Sequence, residues 1–185
     1  MSCRWALFLS GKGSTAQALM DLLGDLDLRL VVSSRAKALG LVRARRQGLA
    51  TLVLSKDVNW AALSRELKSR GIERLALVGF MKILPPEFVR EWQGRMWNVH
   101  PSLLPAFAGA QALERGFAEK AELGVTIHEV NAEMDAGRQV LRASLGRLTD
   151  WSEAQLQTAR LEHRLLRENA RRQDWRFSTL RLKEF

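Results

Sequence analysis

The sequence has little cysteine and no long apolar run. Its single cysteine, Cys3, cannot form a disulfide within the chain of 185 residues, so the sequence predicts a protein of the reducing cytoplasm. No apolar segment approaches the roughly 18 residues that a membrane-spanning helix requires, so no membrane partner is predicted. The first residues, Met1–Trp5, lead into a short apolar segment and lack the longer apolar stretch and cleavage site of a signal peptide.

Patterns that bind metals or read nucleic acids are missing as well. His128 and His163 have no cysteine or histidine partner at a ligand spacing, so no metal site is predicted. The net charge of +9 would attract anions, which include nucleic acids, phosphorylated metabolites and carboxylated cofactors. Eight lysine and arginine residues stand against four acidic residues from Arg160 to Phe185, where a solvated helix and tail is the favoured interpretation. Zinc-finger spacing, a homeodomain helix and RNP-like aromatic motifs are lacking, so no specific nucleic-acid partner is predicted.

Strand-like and helical apolar patterns alternate along the chain. The predicted strands are 5–9, 28–32, 50–54, 75–78, 96–99, 124–130 and 140–145. The predicted helices are 14–23, 36–46, 60–70, 85–92, 111–122 and 151 to about 172. This rhythm predicts an α/β fold with an open, mostly parallel, twisted sheet, helices on both faces and a late antiparallel hairpin. Without a linker or repeat, residues 1–185 are expected to form one domain with a C-terminal helix and basic tail from about 151.

A glycine-rich loop joins the first predicted strand to the first helix. Gly11 and Gly13 let the backbone turn tightly and present N–H groups to an anion, and the helix N-terminus adds partial positive charge. Ser14 and Thr15 add hydroxyls, and Lys12 could add a full charge. A plain strand-to-helix turn would need the same glycines, so the motif alone leaves both interpretations open.

The segment after the fourth predicted strand is the second motif. In open α/β sheets, ligands lie beyond the carboxyl ends of the strands. Backbone groups there could bind a flat heterocycle while Met81, Ile83 and Leu84 cover its faces. Core packing of these apolar side chains is the alternative.

Polar residues at the end of the fifth predicted strand form the third motif. Asn98 and His100 are two residues apart and therefore face the same side of the strand. An amide donor beside an imidazole could stabilise a developing oxyanion and move a proton. A buried core histidine is the alternative, and it is weaker because Pro101 ends the strand. Asp135, in a turn between the two late strands, could cap the backbone or could orient His100 and raise its pKa.

Together these motifs resemble the glycinamide ribonucleotide formyltransferases of the folate-dependent formyltransferase family. The resemblance runs from Leu7 to about Leu166 and is carried, in the family's order, by SGKGS, GFMKIL, NVHPSLLP, GVTIH and Glu162-His163. The run NVHPSLLP is specific for the wider group, which includes methionyl-tRNA formyltransferase, sugar N-formyltransferases and formyltetrahydrofolate deformylase. A Rossmann-like formyltransferase fold is implied.

The resemblance also implies an activity and its residues. The activity is transfer of the formyl group of 10-formyltetrahydrofolate to the amine of glycinamide ribonucleotide in purine biosynthesis, without a metal. The implied catalytic trio is Asn98, His100 and Asp135, with protonated His100 and Asn98 stabilising the oxyanion. The implied binding residues are Gly11, Lys12, Gly13, Ser14 and Thr15 for the substrate phosphate, Glu162 for the substrate amine, and Met81, Lys82, Ile83, Leu84, Asn131, Ala132, Glu133 and Met134 for the folate.

The sequence departs from the family's pattern at several positions. A histidine-bearing piece that helps to close the site is missing from Ala106–Gln111. Gly137 is followed by Arg138 where the family has Gly-Pro, and an arginine that would approach the folate tail is replaced around Trp60. Lys12 stands where the family has asparagine, which should aid anion binding.

Two alternatives to formyl transfer are kept open. A hydrolase of the same folate is expected less, because the deformylases carry an extra N-terminal domain and this sequence starts at the first strand. A folate-binding protein with degenerate or no catalysis is favoured mainly by the missing histidine-bearing piece. Methionyl-tRNA formylation is not expected, since the basic tail is too short for an RNA-binding domain. A monomer or homodimer is expected.

Overall fold

The computed structural model describes residues 3–22 and 26–171. The strands are β1 (Arg4–Leu9), β2 (Asp27–Ser33), β3 (Ala50–Val53), β4 (Arg74–Leu77), β5 (Met96–His100), β6 (Leu123–Glu129) and β7 (Gln139–Gly146). The helices are α1 (Ser14–Met20), α2 (Leu39–Arg46), α3 (Trp60–Ser69), α4 (Pro86–Glu91), α5 (Ala112–Ala118) and α6 (Trp151–Arg171). Strands and helices alternate until β6, which β7 follows directly.

The strands form one sheet in the order β3-β2-β1-β4-β5-β6-β7. β1 pairs in parallel with β2 and β4, and β2 pairs in parallel with β3, whereas β6 and β7 are antiparallel. This topology confirms the predicted α/β fold with a mostly parallel sheet and a late antiparallel hairpin. Within the described ranges, every helix is too short or too polar to cross a lipid bilayer.

The chain divides into two compact units, residues 1–97 and 98–185. In the first unit, every residue of β1 from Trp5 to Leu9 is buried, as the continuous apolar run of a strand covered on both faces predicts. The parallel register places Leu7 beside Val31 of β2 and beside Ala76 of β4. The segments that leave the carboxyl ends of β1 and β4 are therefore neighbours, and Ser10 N–H donates to the Gly79 carbonyl at 2.9 Å.

The second unit is built on the β6–β7 hairpin. The connection between the two strands, residues 130–138, contains Asp135. Helix α6 buries a stripe at helical spacing, formed by Ala154, Thr158, Leu161 and Leu165. The prediction of a single domain over residues 1–185 stays a prediction, and the part of the predicted basic tail from residue 172 onward lies outside the described residues.

Three helices are shorter than their apolar patterns indicate by three or more residues, and the first of them, α1, ends at Met20 although the pattern predicts a helix through residues 21 and 22. Helix α2 begins at Leu39 instead of residue 36, because the chain first makes a turn in which the Ser33 hydroxyl accepts from Arg35 N–H at 3.1 Å. Helix α5 ends at Ala118 instead of residue 122, because Lys120 has a φ of 52°, which no α-helix accommodates. Residue 23, predicted to lie in the first helix, is outside the described residues.

Candidate active site

Asp135 is the centre of a largely buried polar cluster in the second unit. Its Oδ2 lies 3.4 Å from Nδ1 of His100 and accepts a hydrogen bond of 2.8 Å from the backbone N–H of Gly109. Its Oδ1 accepts from Nδ2 of Asn98 at 3.3 Å and lies 3.4 Å from Nε2 of His128. The structure therefore brings together the three side chains of the predicted catalytic trio around one carboxylate.

His128 completes this cluster, although the sequence motifs assign it no role beyond a rejected metal ligand. Its Nε2 lies 3.1 Å from Nδ2 of Asn98, and its Nδ1 lies 2.9 Å from the carbonyl oxygen of Glu129. The imidazole is buried and stands edge-on to His100, with ring centroids 6.4 Å apart. One signal in the sequence could have revealed it: Thr126 and His128 lie two residues apart near the end of a strand, as Asn98 and His100 do.

The backbone after β6 fixes the position of the Asp135 carboxylate. Asp135 has a φ of 54°, in the left-handed region that aspartate tolerates better than most residues. At Gly137, an added Cβ would lie 1.7 Å from the carbonyl oxygen of Glu129. Only glycine lets the connection pass this close to β6. Arg138 then pairs with the Glu129 carboxylate at 2.7 Å and closes the turn.

Burial and hydrogen bonding set the charges of the cluster. Hydrogen bonds from His128 and from the Gly109 backbone lower the pKa of Asp135 to about 2, against the opposing effect of burial. Burial lowers the pKa of His100, and this effect outweighs the Phe107 carbonyl and the charge of Asp135, which act in the opposite direction. Asp135 therefore raises the pKa of His100, as expected, but desolvation of the imidazolium is the larger effect and the net shift is downward.

A short segment, Ala106–Gly109, covers the His100 side of the cluster. The carbonyl oxygen of Phe107 lies 3.0 Å from Nε2 of His100. The Ser102 hydroxyl donates to the carbonyl of Ala106 at 2.6 Å and anchors the start of the segment. This covering segment lies within residues 106–111, where the resemblance predicts that a histidine-bearing piece of the family is missing.

The glycine-rich loop of residues 11–15 lies in the first unit, between β1 and α1. Gly13 has a φ of 69°, and an added Cβ there would lie 2.6 Å from Cα of Gly40 in α2. The Gly40 N–H donates to the carbonyl of Gly11 at 3.2 Å. The loop thus packs backbone against backbone, which explains why both positions are glycines.

The predicted folate segment, residues 81–84, follows β4 in the same unit. The N–H of Met81 donates to Oγ of Ser10 at 2.8 Å, and that oxygen lies 2.6 Å from Oγ of Ser34. The buried Ser10 hydroxyl therefore ties the start of the glycine-rich loop to the folate segment. Met81 and Ile83 are 70% and 79% exposed, which excludes core packing for these two side chains.

The remaining predicted binding residues lie in the second unit. Residues 131–134 are exposed on the connection that precedes Asp135, and Oδ1 of Asn131 accepts from Glu133 N–H at 3.1 Å. The Sδ of Met134 lies 3.5 Å from the position that a Cβ on Gly109 would take, so this side chain reaches the covering segment. Glu162 lies half-buried on α6, and its predicted role stays a prediction.

Comparison with known protein families shows which family has a sequence pattern like that of this chain. The family described as Formyl transferase matches residues 3–169, which is most of the chain. The chain belongs to the formyl transferase family. The cluster around Asp135 and the glycine-rich loop both fall inside the matched region.

Named relatives within the formyl transferase family are of two kinds. The trifunctional purine biosynthetic protein adenosine-3 of Drosophila pseudoobscura pseudoobscura is 41% identical over 158 residues, which cover 77% of this chain but only 11% of that protein. Phosphoribosylglycinamide formyltransferase of Haemophilus influenzae is 36% identical over 152 residues, covering 76% of this chain and 71% of that protein. The crystal structure of phosphoribosylglycinamide formyltransferase from Anaplasma phagocytophilum superposes with a TM-score of 0.87 at 31% identity, over 92% of this chain and 86% of that chain.

The chemistry available to this formyl transferase chain follows from the cluster. The amide N–H of Asn98 and an imidazole N–H can donate hydrogen bonds to a developing oxyanion, whereas the ionised carboxylate of Asp135 can only accept hydrogen bonds and, with the imidazoles, help to move a proton. Across residues 3–22 and 26–171, no group of three or more histidine, cysteine, aspartate or glutamate side chains has the geometry to hold a metal ion.

Proposed function

We propose that this chain transfers the formyl group of 10-formyltetrahydrofolate to the amine of glycinamide ribonucleotide, a step of purine biosynthesis. The observation that carries the proposal is the cluster in which Asn98, His100 and Asp135 meet around one carboxylate. The printed names of the relatives support the choice of substrates. Both the Haemophilus protein and the Anaplasma structure are named phosphoribosylglycinamide formyltransferase, and the longer Drosophila relative is named for purine biosynthesis.

In the proposed reaction, the amine nitrogen attacks the formyl carbon and produces a tetrahedral intermediate with a negative oxygen. Asn98 and His100 would stabilise that oxygen by donating hydrogen bonds to it. Collapse of the intermediate breaks the bond between the formyl carbon and N10 of the folate. The proton lost by the amine would reach N10 through water held by His100 and Asp135, so N10 leaves as a neutral amine of tetrahydrofolate.

Substrate binding is assigned to the other predicted residues. Backbone N–H groups of residues 11–15 would bind the substrate phosphate, helped by the positive charge of Lys12. The backbones of residues 81–84 and 131–134 would bind the pterin of the folate, and Glu162 would bind near the substrate amine. The proposal includes a cytoplasmic location, based on the single cysteine, and a monomer or homodimer.

One assay tests this function. The purified chain is incubated with 10-formyltetrahydrofolate, with and without glycinamide ribonucleotide, and release of tetrahydrofolate is followed. We expect release only when the amine is present. Equal release of tetrahydrofolate without the amine would show that the chain hydrolyses 10-formyltetrahydrofolate and does not transfer its formyl group. Folate binding with no release of tetrahydrofolate in either case would show that the chain binds folate without catalysis. The variant His100→Ala, prepared in the same way, is the control for contaminating activity.

A further inference from the structure

Both ring nitrogens of His100 face oxygen atoms of the chain itself. Nδ1 lies 3.4 Å from Oδ2 of Asp135, and Nε2 lies 3.0 Å from the carbonyl oxygen of Phe107. The His100 side chain is only 6% exposed. A histidine ring has no third polar atom, so in this arrangement neither ring nitrogen is open to a formyl oxygen.

Of these two oxygens, the Phe107 carbonyl oxygen is the one that an oxygen of a ligand can displace. Asp135 is held by His128 and Asn98 inside the cluster, whereas the residues on either side of Phe107 are exposed. A backbone carbonyl and the carbonyl of a formamide are the same kind of hydrogen-bond acceptor. The atom in front of Nε2 therefore has the chemistry of the atom that the proposed reaction must bring there.

Arg115 of α5 fixes the Phe107 carbonyl in this position. Its guanidinium Nη2 donates to the Phe107 carbonyl at 2.9 Å and also to the carbonyl of Ala108. The guanidinium carbon lies 5.9 Å from the centre of the Phe107 ring. Phe107 has a φ of 56°, which a bulky residue rarely adopts, so its contacts keep this carbonyl turned toward His100.

We propose that the Phe107 carbonyl is an internal competitor of the formyl oxygen for Nε2 of His100, and that Arg115 determines how strongly it competes. The proposal rests on the proposed function, because it assumes that a formyl group binds at His100. It makes Arg115 a positioning residue that acts through the covering segment. When the formyl oxygen displaces the Phe107 carbonyl, that carbonyl turns away and the segment rearranges, and every contact of Arg115 with the segment opposes this change.

The test compares two folates that differ by the formyl group alone. Binding of 10-formyltetrahydrofolate and of tetrahydrofolate is measured by titration calorimetry for the wild type and for Arg115→Gln, without the amine. We expect Arg115→Gln to tighten binding of the formyl compound about five-fold, the size of one hydrogen bond, and to change tetrahydrofolate binding less than two-fold. Lys120→Gln, which removes a charge just beyond the end of the same helix, should change neither.

Two results would overturn the proposal. One is weaker binding of the formyl compound by Arg115→Gln, and the other is an equal change for both folates. Arg115→Lys, whose ammonium has no planar fork to hold two carbonyls, is expected to give about a two-fold selective effect and serves if the glutamine variant does not fold. If Arg115→Gln binds the formyl compound selectively tighter but the wild type shows no turnover with the amine, only the proposed function is contradicted. Turnover without selective tightening would contradict this inference alone.

Discussion

The glycine-rich loop of the first unit and the histidine cluster of the second are built by opposite means. The loop packs backbone against backbone, Gly13 against Gly40, and the neighbouring folate segment exposes the apolar side chains of Met81 and Ile83. The cluster instead consists of buried side chains that share the carboxylate of Asp135. A substitution in the loop should therefore change steric packing and substrate binding, whereas a substitution in the cluster should change hydrogen bonding and proton transfer.

The largest effect is expected when the shared carboxylate or its imidazole partner is altered. Asp135→Asn and His100→Ala should each lower kcat by at least ~100-fold, the scale of a lost acid–base or oxyanion group. KM values should change much less, because the loop is untouched. Steady-state kinetics measure both constants, and Asp57→Asn, an exposed carboxylate in the first unit, is the matched control. A near-wild-type kcat in either cluster variant would contradict the catalytic role assigned to the substituted residue.

The cluster should also make the protein sensitive to acid. The folded pKa of Asp135, about 2, lies below its ordinary value of 3.8, so the unfolded chain binds the proton first as the pH falls. Asp135 therefore stabilises the fold above about pH 4, by on the order of 2 kcal/mol, and this contribution disappears between about pH 4 and pH 2.

Urea unfolding of the wild type and of Asp135→Asn at pH 7 and at low pH measures this contribution. The stability difference between the two proteins should shrink as the pH falls. A difference that stays constant with pH would show that the carboxylate does not carry it.

In the loop, the expected effect is steric. Gly13→Ala places a Cβ 2.6 Å from Cα of Gly40 at a φ of 69°, so the helix or the loop must shift. Gly48→Ala is the matched control, because Gly48 has a φ of 74° but open space around it. We expect Gly13→Ala to lower the free energy of unfolding by at least about 1 kcal/mol more than the control and to raise the KM for the phosphorylated amine. Equal destabilisation by both substitutions would show that the close approach to Gly40 is unimportant.

The smallest expected effect concerns the hydroxyl that ties the loop to the folate segment. Ser10→Ala removes the acceptor of the Met81 N–H, which is worth about 1 kcal/mol. The KM for the folate should rise a few-fold while kcat stays within about two-fold. Ser34→Ala, which leaves the Met81 hydrogen bond in place, should have a smaller effect on KM. A fall in kcat without a rise in KM would erase the contrast between the two regions.

The sequence predicts the scaffold well, because apolar periodicity determines where strands and helices lie. It also places Asn98 and His100 on one side of β5, since side chains alternate along a strand. The same alternation cannot show which strand contributes the next side chain, so His128 of β6 is missed. The net lowering of the His100 pKa is missed because it depends on burial, which a motif does not contain. The orientation of the Phe107 carbonyl is missed because the left-handed backbone conformation of Phe107 is stabilised by contacts with other residues, such as Arg115, and not by a conformational preference of phenylalanine.

The close approach of Gly137 to the Glu129 carbonyl limits which residues evolution can place at position 137. A Cβ at this position would overlap the backbone oxygen at 1.7 Å, so any lineage that retains the Asp135 chemistry must retain a glycine there. Residues 131–134 of the same connection are exposed, and the proposed function assigns their backbone, not their side chains, to the folate. Among descendants of this chain, glycine at position 137 should therefore be lost only where aspartate at position 135 is lost as well.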